Sequence, residues 1–342
     1  MARWHARAVL AAFCLPACSI VWAQEQDVPV VPDESTGPVA DTPDAWIDRA
    51  HSGLHGVVWR SAMRVDRMFG ASGDEDVYRE QAVGSITPAL FWSEFDGFEQ
   101  KLRFRVKMPL PHLDERYDAF IGTVNREEFV TEREQESGAL PRQGAFQEDQ
   151  TLFGIRYRQP RQGGRWEADA GLRIRSPIDP YVKAGYRYER GASRNVLVSL
   201  RQTLFWQNSE GFGLTSRVDV ERIFDDTWLV RWSGSGTISE KTAGVRGYTA
   251  LTALRALPDR RAIAAQIFTA GEFDAAVPLR EYGAKIAYRQ SIIRDWLVLE
   301  VRPSITWPKT EIGQSREASW GIGVGFEMFF GIDDFSANPA TF

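Results

Sequence analysis

Trp320-Gly321-Ile322-Gly323-Val324-Gly325-Phe326-Glu327-Met328-Phe329-Phe330 reads as one long strand in period 2. Side chains of an extended chain alternate between two faces. Trp320, Ile322, Val324, Phe326, Met328 and Phe330 therefore share one face, and Ser319, Gly321, Gly323, Gly325 and Glu327 share the other. Ten residue steps of roughly 3.3 Å, tilted by about 40–45°, climb roughly 25 Å, the height of the apolar band on a β-barrel that crosses a bilayer. An aromatic at each end of the apolar row suits the two membrane–water interfaces.

The same alternation recurs along the chain. Leu102, Phe104, Val106 and Met108 alternate with Lys101, Arg103, Arg105 and Lys107, and Phe153, Ile155 and Tyr157 with Gly154, Arg156 and Arg158. Trp166, Ala168, Ala170, Leu172 and Ile174 oppose Glu167, Asp169, Gly171 and Arg173; Ala184, Tyr186 and Tyr188 oppose Lys183, Gly185 and Arg187. Val196, Val198, Leu200, Leu204 and Trp206 oppose Ser199, Arg201 and Thr203, and Phe212, Leu214, Val218 and Val220 oppose Arg217, Asp219 and Glu221. Tyr282, Ala284, Ile286 and Tyr288 face away from Lys285 and Arg289, and Leu297, Leu299, Val301, Ile305 and Trp307 away from Glu300, Arg302 and Ser304. Weaker strands lie near 80–94, 116–124, 226–238, 243–255 and 261–273. Turn signals between them include Gln162-Gly163-Gly164, Asn208-Ser209-Glu210-Gly211, Asp225-Asp226 and Pro258-Asp259-Arg260. The expectation is an all-β transmembrane antiparallel up-and-down barrel of about 14 strands over residues 77–331, with a tail at 332–342. An even strand number puts both termini on one side and the long segment 125–148 on the other.

The 342 residues are 43% hydrophobic and 25% charged, enough for a sizeable core. The mean hydropathy of −0.32 and the lack of a later apolar run near 18 residues exclude ordinary transmembrane helices. Arg3, Arg7, an apolar stretch from Ala8 and Val21-Trp22-Ala23 make residues 1–23 a signal peptide. The rival reading is lipidation at Cys18 within Leu15-Pro16-Ala17-Cys18. Cleavage after Ala23 removes Cys14 and Cys18, so thiol chemistry leaves with the signal. Loss of Arg3 and Arg7 from 41 basic residues leaves 39 against 46 acidic, a net of −7 that disfavours nucleic acid as partner. Residues 24–44 form an Asp-, Glu- and Pro-rich linker. Within 45–70, Trp46, Ile47, Leu54, Val57, Val58, Met63, Val65, Met68 and Phe69 trace a short amphipathic helix, shielding one barrel mouth or plugging the lumen.

A soluble sandwich also alternates, but long strands with aromatic row ends and regular hairpins suit a barrel whose apolar rows meet lipid and whose charges line the lumen. Closure alone satisfies every backbone polar group in hydrocarbon. On this pattern the chain resembles Gram-negative outer-membrane β-barrel proteins over residues 77–331. It looks closest to uncharacterised proteobacterial barrels with a short helical N-terminal region ending in a segment like Val65-Asp66-Arg67-Met68-Phe69-Gly70. The resemblance implies secretion to the cell outer membrane, lipid contact and recognition by the barrel-assembly machinery. It also implies a terminal aromatic signal, carried here by Phe326, Met328 and Phe330 or by the separate Phe342.

Resemblance to barrel enzymes would imply a His beside Ser, Asp or Glu at the outer rim. The mature chain offers only His51 and His55 on the helical segment and His112 in a turn. Their i, i+4 spacing puts His51 and His55 on one face without a third ligand, so no metal, cofactor or catalytic site is expected. The candidate lumen charges are Lys101, Arg103, Arg105, Lys107, Arg156, Arg158, Arg173, Arg187, Arg201, Glu300 and Arg302. They make either a basic sector that attracts anions or, with Glu167, Asp169, Asp219, Glu221, Glu281, Glu300 and Glu327, an ion-paired lining. Gly321, Gly323 and Gly325 allow a sharp strand bend or close packing from inside. Two functions follow: a passive channel or transporter for small solutes or ions, or a non-conducting structural barrel whose charged loop 125–148 meets partners outside.

Overall fold

The computed structural model describes residues 83–110, 116–125, 129–130, 149–159, 164–225 and 227–331. The signal peptide, linker, N-terminal helix, C-terminal tail and the three mature-chain histidines read from sequence lie outside them. Fourteen strands form a closed barrel in which each pairs antiparallel with its sequence neighbours and the first pairs with the last. They are β1 (Val83–Ser93), β2 (Gly97–Pro109), β3 (Tyr117–Asn125), β4 (Asp149–Arg158), β5 (Gly164–Arg173), β6 (Asp179–Ser193) and β7 (Val196–Gln207). The circuit continues through β8 (Gly211–Ile223), β9 (Trp228–Ser239), β10 (Arg246–Leu257), β11 (Arg261–Glu272), β12 (Leu279–Ile292), β13 (Arg294–Thr306) and β14 (Ser319–Phe330). The strand number matches the sequence expectation, and among the described residues no helix is long and apolar enough to cross a membrane.

The two rims differ. At one, the connections shrink to Arg194–Asn195 between β6 and β7 and to Ile293 between β12 and β13. The other carries residues 126–148 and 307–318, together with tight turns at 94–96 and 208–210. Those two turns deliver the chain into β2 and β8 through Gly97 and Gly211 at φ 75° and 77°, a left-handed conformation that glycine adopts without a Cβ clash. At the short-turn rim Asp225 Oδ1 accepts from the Thr227 amide and hydroxyl at 2.7 Å and from the Trp228 amide at 2.8 Å. Those donors, the Thr227 hydroxyl first, hold the Asp225 carboxyl below the usual carboxylate range.

Register fixes the faces. Leu90, Trp92, Leu102, Trp166, Val182, Leu204, Phe212, Trp232, Ile267, Ile286, Trp320 and Ile322 point outward and are exposed. So wide an apolar exterior is unfavourable in water and is what a hydrocarbon surround requires. One expected girdle position differs: Phe330 is only 2% exposed. Its partner across the ladder is Gly84, and a Cβ there would fall 2.5 Å from the Phe330 ring, so the aromatic lies over the glycine instead of standing out. The β2–β3 ladder is also short. It runs only from Arg105–Gly122 to Pro109–Asp118, although both strands continue. Beyond it, the Arg103 side chain donates to the Thr123 carbonyl at 3.2 Å.

Candidate functional site: the barrel lumen

All the charges selected from sequence occupy inward-facing rows. Lys101, Arg103, Arg105 and Lys107 lie on β2, Arg156 and Arg158 on β4, Arg173 on β5, Arg187 on β6, Arg201 on β7, and Glu300 with Arg302 on β13. Most of the cations meet a carboxylate of the same wall. Arg156 grips Asp169 with two parallel hydrogen bonds of 3.0 and 3.1 Å, and Lys183 reaches the same carboxylate at 3.2 Å. Arg201 meets Glu167 at 2.7 Å, and Arg187 meets Glu189 at 2.7 Å. Lys107 and Arg158 share Asp118 at 3.4 and 3.5 Å, and Lys101 lies between Glu99 and Asp149 at 3.3 and 3.8 Å. Arg173 is 3.8 Å from Asp179, and Arg302 binds Glu300.

Further pairs extend the pattern around the wall: Arg217–Asp219 at 2.6 Å, Arg231–Glu221 at 2.7 Å, Arg289–Glu327 at 2.6 Å and Arg246–Glu272 at 3.3 Å. Each of these pairs joins residues of one strand, or of strands no more than two places apart. These charges therefore lie along the wall and do not reach across the lumen.

Between the charges sits an apolar nest that sequence reading missed. Phe129 and Val130, in the β3–β4 connection, are buried against Leu152, Tyr181 and Phe205, with Phe120 and Val124 alongside. Phe129 meets Tyr181 edge-on at 5.0 Å and Phe205 at 6.1 Å. Lys183 donates to the Phe129 carbonyl at 3.0 Å and stands 5.1 Å from its ring centroid, a cation–π contact. Glycines make the seat. A Cβ on Gly213 would fall 2.2 Å from the Phe205 ring, and one on Gly154 would fall 3.0 Å from the Tyr181 hydroxyl. The connection read from sequence as a charged external loop thus contributes Phe129 and Val130 to the inner wall. Phe129 and Val130 are an apolar pair in an otherwise charged stretch, and that was the available signal.

Gly321, Gly323 and Gly325 line up with Ser93, Phe91 and Ala89 of β1 on one side and with Ser304, Arg302 and Glu300 of β13 on the other. Phe91 and Glu300 are buried, at 2% and 0% exposure. Large and small partners thus alternate beside the stripe: Phe91 and Arg302 flank Gly323, whereas Ser93 and Ser304 flank Gly321.

No family model and no curated relative matches the sequence. Among solved structures the chain is similar to the KdgM porin, with 7% identity, 72% of this chain and 99% of that chain covered, and a TM-score of 0.35. It is similar to the outer membrane channel DcaP of Acinetobacter baumannii, with 10% identity, 73% and 96% covered, and a TM-score of 0.45. It is also similar to the anion-selective porin from Comamonas acidovorans, with 12% identity, 73% and 99% covered, and a TM-score of 0.42. The likeness is of barrel to barrel and assigns no residue a role.

Among the described residues no group of three His, Cys, Asp or Glu is arranged to hold a metal. What the lumen offers chemically is a wall of charge-assisted hydrogen bonds with fixed polarity and one apolar seat.

Proposed function

We propose that the chain is an outer-membrane channel for passive diffusion of small solutes or ions, delivered there by its N-terminal signal peptide and the barrel-assembly machinery. One observation carries the reading: fourteen strands enclose a lumen whose ion pairs run along the wall. Eight strands close around a space that side chains can fill, whereas sixteen to eighteen leave an aqueous channel, and this barrel stands toward the wider end. Side chains folded back onto their own wall do not fill such a width.

Pairing also sets the selectivity. Two cations share Asp118 and two share Asp169, so β2 to β6 present positive charge only partly neutralised by neighbours. The consequence is a modest preference for anions, smaller than an unpaired basic sector would give. Nothing in this reading requires bond-making chemistry. The test is planar-bilayer recording of the refolded mature protein in KCl. Discrete conductance steps, with a reversal potential displaced toward that of chloride in a salt gradient, are expected. Correctly folded protein that passes no current refutes the channel and favours the non-conducting barrel, with Phe129 and Val130 as part of its filling.

A further inference from the structure

Most cations of the lumen meet carboxylates, but among the described residues four exposed arginines of the outer surface do not: Arg255 stands 5.1 Å over the Trp228 ring, and the other three lie close together on β6, the β6–β7 turn and β8. Arg190 follows Tyr188 on the outward row of β6, and Arg222 follows Val220 on the outward row of β8. Arg194 occupies the two-residue turn between β6 and β7. All three are exposed, and among the described residues none has a carboxylate within ion-pair distance. Acids close by in sequence are already engaged: Glu189 pairs with Arg187, and Asp225 caps Thr227 and Trp228.

The surroundings are those of a membrane interface. Below Arg190 on the same outward face come Tyr188 and Tyr186, the latter packed on Trp166 at 4.8 Å between ring centroids. Below Arg222 comes Val220, opposite Val198 on one side and Trp232 on the other. Arg222 itself stands 4.8 Å over the Phe224 ring. Beside it lies a groove of about 610 Å³ lined by Ser193, Arg194, Asn195, Val196, Arg222 and Phe224 among others. Guanidinium forks match the paired oxygens of a phosphate, and the valines and aromatics beneath match acyl chains.

We propose that this groove binds the headgroup of an anionic glycerophospholipid from the leaflet at the short-turn rim, with Arg194 and Arg222, which line it, and Arg190, which faces Val198 beside it, as the phosphate donors. The inference rests on the membrane placement above but not on conduction, so a closed lumen leaves it intact. Its physical basis is that basic groups at a membrane surface attract anionic lipid, each adding roughly fivefold to binding.

The folded mature protein in detergent, its fold checked by heat-modifiable gel mobility, would be titrated with phosphatidylglycerol or phosphatidylethanolamine and retained lipid counted by native mass spectrometry. Arg190→Gln/Arg194→Gln/Arg222→Gln should weaken phosphatidylglycerol binding roughly a hundredfold and leave phosphatidylethanolamine within about threefold. Arg260→Gln/Arg261→Gln/Arg294→Gln removes the same charge from the same rim elsewhere and should leave both lipids within about threefold. If the first triple variant does not fold, Arg222→Gln alone should lose roughly fivefold. Equal losses in the two triple variants, or wild-type binding that does not distinguish the two lipids, would overturn the site.

Discussion

Asp169 is the carboxylate on which the β4–β6 wall depends. Its side chain is 0% exposed, and it holds Arg156 through both oxygens while Lys183 stands 3.2 Å from one of them. Asp169→Asn preserves shape and one acceptor but removes the charge, leaving two buried cations on nearby strands without that counter-ion. Removing one partner of a buried pair costs about 3–5 kcal/mol, and the retained amide acceptor argues for the lower end. Lys183→Met should cost about 1.5–3 kcal/mol, the range for a hydrogen bond to a charged group. It leaves the Arg156–Asp169 fork intact. In the double variant one of the two stranded cations is gone, so the combined cost should fall short of the sum by about 1–2 kcal/mol. Guanidinium unfolding of the protein in lipid vesicles, followed by tryptophan fluorescence, measures all three. The channel reports independently: Asp169→Asn should move the reversal potential toward that of chloride and Lys183→Met toward that of potassium. Strict additivity of the two costs, or an Asp169→Asn cost below about 1 kcal/mol, would show that water in the lumen screens these pairs fully.

Gly213→Val places a Cβ where the Phe205 ring now lies and should cost about 1–3 kcal/mol by overpacking. Phe205→Ala should absorb the new side chain, so denaturant midpoints should show the double variant no less stable than Phe205→Ala alone. At the shortened β2–β3 ladder, the amides of Gly97–Phe104 that point away from β1 lack the continuous strand partner present elsewhere. Hydrogen exchange in detergent should therefore reach these amides before those of the long β10–β11 ladder. Equal protection of the two would mean that β2 and β3 close along their full length in the membrane.

The barrel was legible because lipid and lumen impose one rule on every strand, and alternation shows without knowledge of a partner. Along β14 it runs from Trp320 to Met328, and the outward rows of β2, β5 and β8 repeat it. Parity alone assigns Lys101, Arg156, Arg201 and Arg302 to the row opposite the apolar one. What parity does not carry is the lateral arrangement of the wall. That Arg201 reaches past β6 to Glu167, or that Arg156 and Lys183 share Asp169, depends on stagger between strands far apart in sequence. The same holds for aromatic-on-glycine contacts. Gly84, Gly154 and Gly213 look like pauses in a strand, and only pairing shows each as the floor under Phe330, Tyr181 or Phe205.

A lumen ring that leans on a glycine leaves another face free for packing, and on Tyr181 and Phe205 that place is taken by Phe129. Phe129 is therefore held by wall geometry already set by glycines on β4 and β8, with Lys183 adding one hydrogen bond to its backbone. Lys183 is at the same time a partner of Asp169. Charge pairing and the seating of Phe129 are thus coupled through a single side chain. Phe129→Ala should accordingly change the cost of Asp169→Asn by about 0.5 kcal/mol or more in a double-mutant cycle of denaturant midpoints. Independent costs for the two substitutions would mean that Lys183 holds its carboxylate without help from Phe129.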